Sequence, residues 1–147
     1  MGGQWSVNRS VAQIHALLYL SERPLTADEI ATLLGMARSN VSNSIKELLG
    51  WELIRRVPIR GERREHFEAE TDVWEIAARI AAGRKAREID PAIVTLRGCI
   101  DEAQGQSGIH QIAVKRLKDM LEFTEALDTW HRQMSTVPRS TLAALMR

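Results

Sequence analysis

Cysteine is nearly absent from this chain: Cys99 stands alone among 147 residues. A single thiol cannot close an intramolecular disulfide or supply a cysteine zinc cluster, which fits a reducing compartment. Long apolar runs are also missing. None is longer than Ala16 to Leu20, which falls far below the ~18 residues that a membrane-spanning helix needs. Nor do the first residues carry a secretory leader's order of positive charge, apolar block and small-residue cleavage site. The expectation is a cytoplasmic protein without a membrane partner. No glycine-rich phosphate loop, nucleophile elbow or metal-ligand spacing is present, and the four histidines are scattered at His15, His66, His110 and His131. The chain therefore reads as a non-enzyme, with no catalytic residues, no metal and no cofactor.

What is present is the composition of a folded protein, 44% hydrophobic and 27% charged, neither disordered nor fibrous. The formal net charge is only +1, so the whole chain does not advertise a polyanionic partner. The distribution says more. Between Ala37 and His66 seven basic residues (Arg38, Lys46, Arg55, Arg56, Arg60, Arg63, Arg64) face four acidic ones (Glu47, Glu52, Glu62, Glu65). The remainder is slightly acidic, so one basic face is expected on an otherwise neutral body.

Apolar spacing through Val11, Ile14, Leu17 and Leu18 predicts an amphipathic helix over about Val7 to Glu22, stopped by Pro24. Thr26 followed three residues later by Glu29 is a capping-box signature. It opens a second helix that is expected to bury Ile30, Leu33 and Leu34 and to close at Gly35. From about Ala37 a third helix carries Val41, Ile45, Leu48 and Leu49 on one face, with Ser39, Ser42, Asn43 and Lys46 on the other. Gly50 is expected to end it. Leu53 to Val57 and Arg63 to Glu68 then read as two short strands around a turn at Pro58 to Gly61, a hairpin with a basic tip.

After Thr71 the pattern is helical. A helix from Asp72 to about Ile89 presents Trp74, Ile76 and Ile80. A new start is expected at Asp90 and Pro91, with the aspartate as cap and the proline in the first turn. Following a break at Gly105 to Gly108, a long helix from Ile109 to about Met134 carries Ala113, Leu117, Met120, Leu121, Leu127 and Trp130. Pro138 opens a short last helix. The fold class is thus mainly α with a small β-hairpin wing. A winged helix-turn-helix over residues 1–70 is followed by a helical dimerisation region over 71–147.

Each part of the first segment answers a demand of double-stranded DNA. The major groove admits one α-helix, which must keep its inner side apolar while offering polar side chains outward. Arg38, Ser39, Asn40, Ser42, Asn43 and Lys46 meet that demand. An arginine-tipped hairpin reaches phosphates or the adjacent minor groove, which makes Arg60, Arg63 and Arg64 the wing candidates. Arg55 and Arg56 are neighbours on a strand and point to opposite faces, so at most one faces DNA; the other is expected to pair with Glu47 or Glu52.

The stretch LTADEIATLLGMARSNVSNSIKELLGWELIRR, Leu25 to Arg56, resembles the winged helix-turn-helix of MarR-type regulators and looks most like their GbsR-like branch. SVAQIHALLYLSERPL before it, and WHRQM and VPRSTLAALM near the C-terminus, are similar to that branch as well. The resemblance implies a homodimer paired through its outer helices, controlling transcription, with repression the expected sense and a small-molecule effector as a further partner. One departure is that Met36 and Ala37 stand where the family often has a serine or threonine cap. Arg38 or a DNA phosphate is the expected substitute at those amides.

Less specific readings compete with these. Trp51, Trp74, Trp130, Phe67 and Phe123 read first as core or interface residues. Trp74, Phe123 and Trp130 are the candidates for an effector site, because aromatic faces attract quaternary ammonium groups. Cys99, with little to lower its thiol pKa, reads as a buried inert thiol. The surplus of apolar helix after Asp72 favours a homodimer that places two recognition helices about 34 to 36 Å apart on a pseudo-palindromic site. The alternative function is a winged-helix protein-interaction module whose basic face is merely solvated.

Overall fold

The computed structural model describes residues 9–105 and 111–147. Helix α1 spans Arg9–Leu20, and Val11, Ile14 and Leu18 form its buried line. The expected start at Val7 lies outside the described residues. Strand β1, Leu25–Thr26, leads directly into α2, Ala27–Leu34. The capping box forms as read: the Glu29 amide donates to Thr26 Oγ1 at 3.2 Å, and Glu29 Oε2 accepts from the Thr26 amide at 2.8 Å. Gly35 takes the left-handed conformation at φ 60°. Together with Met36, whose amide donates to the Ala31 carbonyl at 3.0 Å, it makes a Schellman turn that satisfies the last carbonyls of α2. Ile30 is fully buried, but Leu33 is 62% exposed, contrary to expectation. Helical geometry turns position 33 away from the line through Ala27, Ile30 and Leu34.

Helix α3 spans Arg38–Gly50 with Val41, Ser44, Ile45 and Leu48 buried. Gly50 is its last helical residue, yet the left-handed residue is Glu52, at φ 57°. The Glu52 amide donates to the Leu49 carbonyl at 3.0 Å and the Leu53 amide to the Leu48 carbonyl at 3.1 Å. This second Schellman turn buries Leu48 and Leu53 together, the apolar contact that usually accompanies the motif.

Strand β2 is Ile54–Val57 and β3 is His66–Ala69. The sheet order is β1-β3-β2, antiparallel throughout, so β3 is central and the hairpin has a third strand that sequence pattern did not reveal. The return strand starts at His66 rather than Arg63. Pro58, just beyond β2, has no amide to donate, so the ladder cannot extend toward Arg63 and Arg64. Both arginines lie in the loop of the wing.

Helix α4, Val73–Arg84, is capped by Asp72, whose Oδ1 accepts from the Trp74 and Glu75 amides at 2.9 and 3.2 Å. Next comes a π-helical segment, Lys85–Ile89, and then α5, Asp90–Gly105. Asp90 is therefore not a helix start. Its backbone is helical, at φ −61° and ψ −46°, and its carboxylate accepts from Lys85 Nζ at 2.6 Å instead of capping. Pro91 cannot donate to the preceding turn, and a widened turn ahead of it removes the need to break the helix.

Helices α6, Gln111–Thr136, and α7, Arg139–Leu145, complete the chain. The expected start at Ile109 and most of the glycine break lie outside the described residues. Cys99 is exposed, contrary to the expectation of burial. The inward line of α5 runs through Leu96, Ile100 and Ala103, and position 99 is turned off it.

The chain divides into two units, Met1–Arg79 and Ile80–Arg147, with the division inside α4. The first holds nearly all of the fully buried apolar side chains; in the second, among the described residues, only Ile100 and Ala103 are buried. Among the described residues no helix is long and apolar enough to cross a membrane.

Two stability predictions follow from these turns. Arg23, bonded to Glu29 at 2.7 Å, and then the Thr26 amide hold the Glu29 carboxyl at about 2 rather than the ordinary 4.5. A carboxyl depressed in the folded state stabilises above its unfolded pKa and loses that contribution as pH falls through the folded value. Denaturant midpoints of wild type should thus fall between pH 4.5 and 2 more steeply than those of Glu29→Gln, whereas parallel curves would contradict the assignment. Glu52→Gly removes the side-chain penalty of a left-handed residue and should raise stability by about 0.5–1 kcal/mol, read as a higher denaturation midpoint.

Candidate nucleic-acid interface

The outer face of α3 follows from its inner one. Once Val41, Ile45 and Leu48 point to the core, Ser39, Ser42, Asn43 and Lys46 must point outward, and all four are exposed. No core demand explains these small polar side chains in a helix interior, where serine and asparagine are poor helix formers. Asn40 is also exposed, but its Nδ2 donates to Ser10 Oγ of α1 at 2.8 Å. It tethers α3 to α1 and is less free than its neighbours to meet a ligand.

The first turn of α3 has Ala37 at its cap and no side-chain cap bond. Arg38 does not replace the cap, because a guanidinium has only donors and cannot accept from an amide. It instead forms an ion pair with Asp28 in the first turn of α2.

A cleft of about 390 Å³ separates α3 from the wing. Arg38, Ser42 and Lys46, four residues apart on one side of α3, line it together with Arg56, Arg64, Glu65 and Phe67 of the wing and Asp28 of α2. Four of the sequence-predicted residues, Arg38, Ser42, Lys46 and Arg64, thus converge on one groove. Ser39, Asn40 and Asn43 do not line it, and neither do Arg60 and Arg63, which are exposed in the wing loop. Sequence pattern missed Asp28 as a member. The only signal was an acidic residue in the first turn of a helix, which the helix dipole alone explains.

The wing is held from below. His66 is buried and its Nδ1 donates to the Arg64 carbonyl at 3.0 Å, fixing the backbone beside the cleft. Arg55 and Arg56 both find carboxylates, though not Glu47 or Glu52 as expected. Arg55 pairs with Glu68, directly opposite on β3, at 2.7 Å, and Arg56 pairs with Glu65 at 2.7 Å. Cross-strand neighbours are simply nearer than residues of the preceding helix. At the base, Arg79 of α4 donates to the Glu52 carbonyl and lies 3.4 Å from Glu70, whose carboxylate is 3.8 Å from Arg55. The Glu70 carboxyl is held below its usual range chiefly by accepting from the Asp72 and Thr71 amides.

After these pairings, Lys46, Arg60, Arg63 and Arg64 have no carboxylate partner among the described residues. All four lie on the α3 face or the wing. Of the aromatic candidates for an effector site, Trp74 is half-buried at the start of α4 in the first unit. Phe123 and Trp130 lie on α6 in the second, 64% and 60% exposed. Neither of the last two is a core residue of its own chain. No group of three or more histidine, cysteine or carboxylate side chains that could hold a metal occurs among the described residues.

Comparison with known proteins agrees with this geometry. Residues 7–65 match the MarR family. The HTH-type transcriptional repressor GbsR of Bacillus subtilis is 22% identical over 143 residues, covering 89% of this chain and 76% of the repressor. The HTH-type transcriptional repressor OpcR of the same organism is 21% identical over 66 residues, 45% of this chain. Two of the three curated relatives are matched over little more than a third of their own length, 37% and 36%. A solved structure of a transcriptional regulator superposes with a TM-score of 0.65 at 19% identity, covering 86% of this chain and 82% of that one. That likeness is one of fold.

Proposed function

We propose that this chain, whose residues 7–65 match the MarR family, is a non-enzymatic transcriptional regulator that binds a pseudo-palindromic site in double-stranded DNA as a homodimer. The observation that carries the reading is the outer surface of α3 and the wing. There, exposed Ser39, Ser42 and Asn43 are flanked by four cations left unpaired among the described residues. Short hydrogen-bonding side chains on a groove-sized helix suit base edges. Free cations beside them suit phosphates, which fix register without reading sequence. Repression is the favoured sense, because two of its relatives, GbsR and OpcR, are repressors.

The dimer reading rests on the second unit. Met120, Phe123, Leu127 and Trp130 follow a three-four spacing along α6, at 58%, 64%, 38% and 60% exposure. With two buried side chains among its described residues, this unit hides too little apolar surface to be stable uncovered. The spacing is that of a helix-pairing seam, and a second copy of the same seam covers it. An aromatic cage for a cationic effector would require enclosed rings. Phe123 and Trp130 stand two turns apart and open, so we assign them to the subunit interface.

Binding to the chain's own upstream DNA, followed by fluorescence anisotropy across a salt series against an unrelated duplex, tests the function. Wild type should bind its own site more tightly and with a steep salt dependence. Replacing Arg63 by alanine should weaken binding to both duplexes and make the salt slope shallower by about 2 per dimer, one for each lost phosphate contact. Ser42→Ala with Asn43→Ala should erode the preference for the chain's own site. Unchanged affinity and slope in the Arg63 variant would favour the protein-interaction module instead. For the dimer, Phe123→Glu with Trp130→Glu should sediment as a monomer at micromolar concentration while wild type sediments as a dimer; a monomeric wild type would end that part of the proposal.

A further inference from the structure

The seven basic residues between Ala37 and His66 are not equivalent. Lys46, Arg60, Arg63 and Arg64 are unpaired among the described residues, and Arg55 is paired across the sheet outside the cleft. Arg38 and Arg56 are different again. Both line the cleft between α3 and the wing, and each is paired with a carboxylate that also lines it, Asp28 and Glu65. The cleft therefore holds four cations and two anions, with one pair on the α2–α3 side and the other on the wing side.

These two pairs are poor candidates for structural supports. Side-chain exposure is 55% and 58% for Arg38 and Asp28, and 59% and 63% for Arg56 and Glu65. Ion pairs so open to water typically add little stability, because solvent screens them and holding two long side chains in register costs entropy. Among the described residues neither carboxylate accepts a backbone amide bond, unlike Glu29 and Glu70 in the same unit, which cap or brace turns. Their main electrostatic consequence falls on whatever enters the cleft. A carboxylate oxygen offers a guanidinium the same acceptor geometry that a phosphate oxygen does. A fixed negative charge a few ångströms from an incoming phosphate also repels it.

Resting on the DNA-binding reading above, we infer that Asp28 and Glu65 are resident phosphate surrogates. They hold Arg38 and Arg56 away from phosphate contact and so set the affinity and salt dependence of DNA binding. Phosphate contacts come from Lys46, Arg60, Arg63 and Arg64, while the two carboxylates keep the backbone term low. Base contacts from α3 then account for a larger share of binding. Removing either carboxylate turns a self-neutralised arginine into a phosphate ligand.

The experiment uses the full chain and the two duplexes already described. Asp28→Asn and Glu65→Gln are tested separately, with Glu102→Gln on α5 as a control that removes one negative charge from a side chain that does not line the cleft. Each cleft variant should bind both duplexes about fivefold or more tightly relative to the control. The salt slope of each should steepen by up to about 2 per dimer, since each protomer gains one phosphate contact. Arg38→Ala should change the salt slope little in the wild-type background and abolish the gain in the Asp28→Asn background, a coupling that a merely structural role of Arg38 would not produce. Circular dichroism of each variant checks that the exposed substitution leaves the fold intact. If wild type binds DNA but Asp28→Asn and Glu65→Gln bind no more tightly than Glu102→Gln, the surrogate role is wrong and the DNA-binding reading stands. If wild type binds neither duplex, both fail.

Discussion

At Thr26 the backbone leaves a three-stranded sheet and enters α2 within one residue, and the reciprocal bonds between Thr26 and Glu29 make that junction rigid. The residue is buried and sits opposite His66 on β3, so the same position fixes the wing's central strand and the start of the helix-turn-helix. Asp28, two residues on, reaches Arg38, while His66 holds the carbonyl of Arg64. Both walls of the cleft are thus referred to one capped turn. Small domains have few such fixed points, and a capping box with its oxygens and amides mutually satisfied is an inexpensive one.

From that junction the two Schellman turns set direction. Gly35 turns α2 into the approach to α3, and Glu52 turns α3 back into β2. Between them, the core line of α3 through Val41, Ile45 and Leu48 decides by geometry alone which side chains face out. Charge is then sorted by reach. Arginines on the strand find acids on or just before the neighbouring strand, and Arg38 finds the acid at the head of α2. Those in the loop beyond Pro58 find none among the described residues. The basic surface is what remains after local neutralisation, and it is narrower than the basic segment of the sequence.

The second unit follows a different economy. Its helices meet over a thin apolar contact at Ile100 and Ala103 among the described residues, with ion pairs of Lys85 to Asp128 and of Arg97 to Glu125 between them. Lys85, raised in pKa first by Asp90 and then by Asp128, sits in the π-helical turn where α6 meets it. Several of its large apolar side chains, Met120, Phe123 and Trp130 among them, are exposed instead, and these are what the proposed homodimer would cover.

Periodicity, caps and charge sufficed to read the order of helices, the capping box at Thr26, the outward face of α3 and the class of fold, because these depend on neighbours within a turn or two along the chain. The sequence also located the basic wing, since Pro58 and Gly61 mark its turn, although the loop runs on to Glu65. Other features needed the folded molecule. The third strand is two residues long and exists only because β3 is there to pair with it. Asp90 looked like a cap until a π turn ahead of Pro91 carried the helix through. Leu33 fits an apolar pattern and Cys99 reads as a buried thiol, yet both face outward, since sequence alone does not say which neighbours arrive to cover a side chain. The pairing of Arg38 with Asp28 and of Arg56 with Glu65 was likewise invisible, because ion pairs form by distance in space, and residues ten apart in the chain meet only after the turn between two helices has closed.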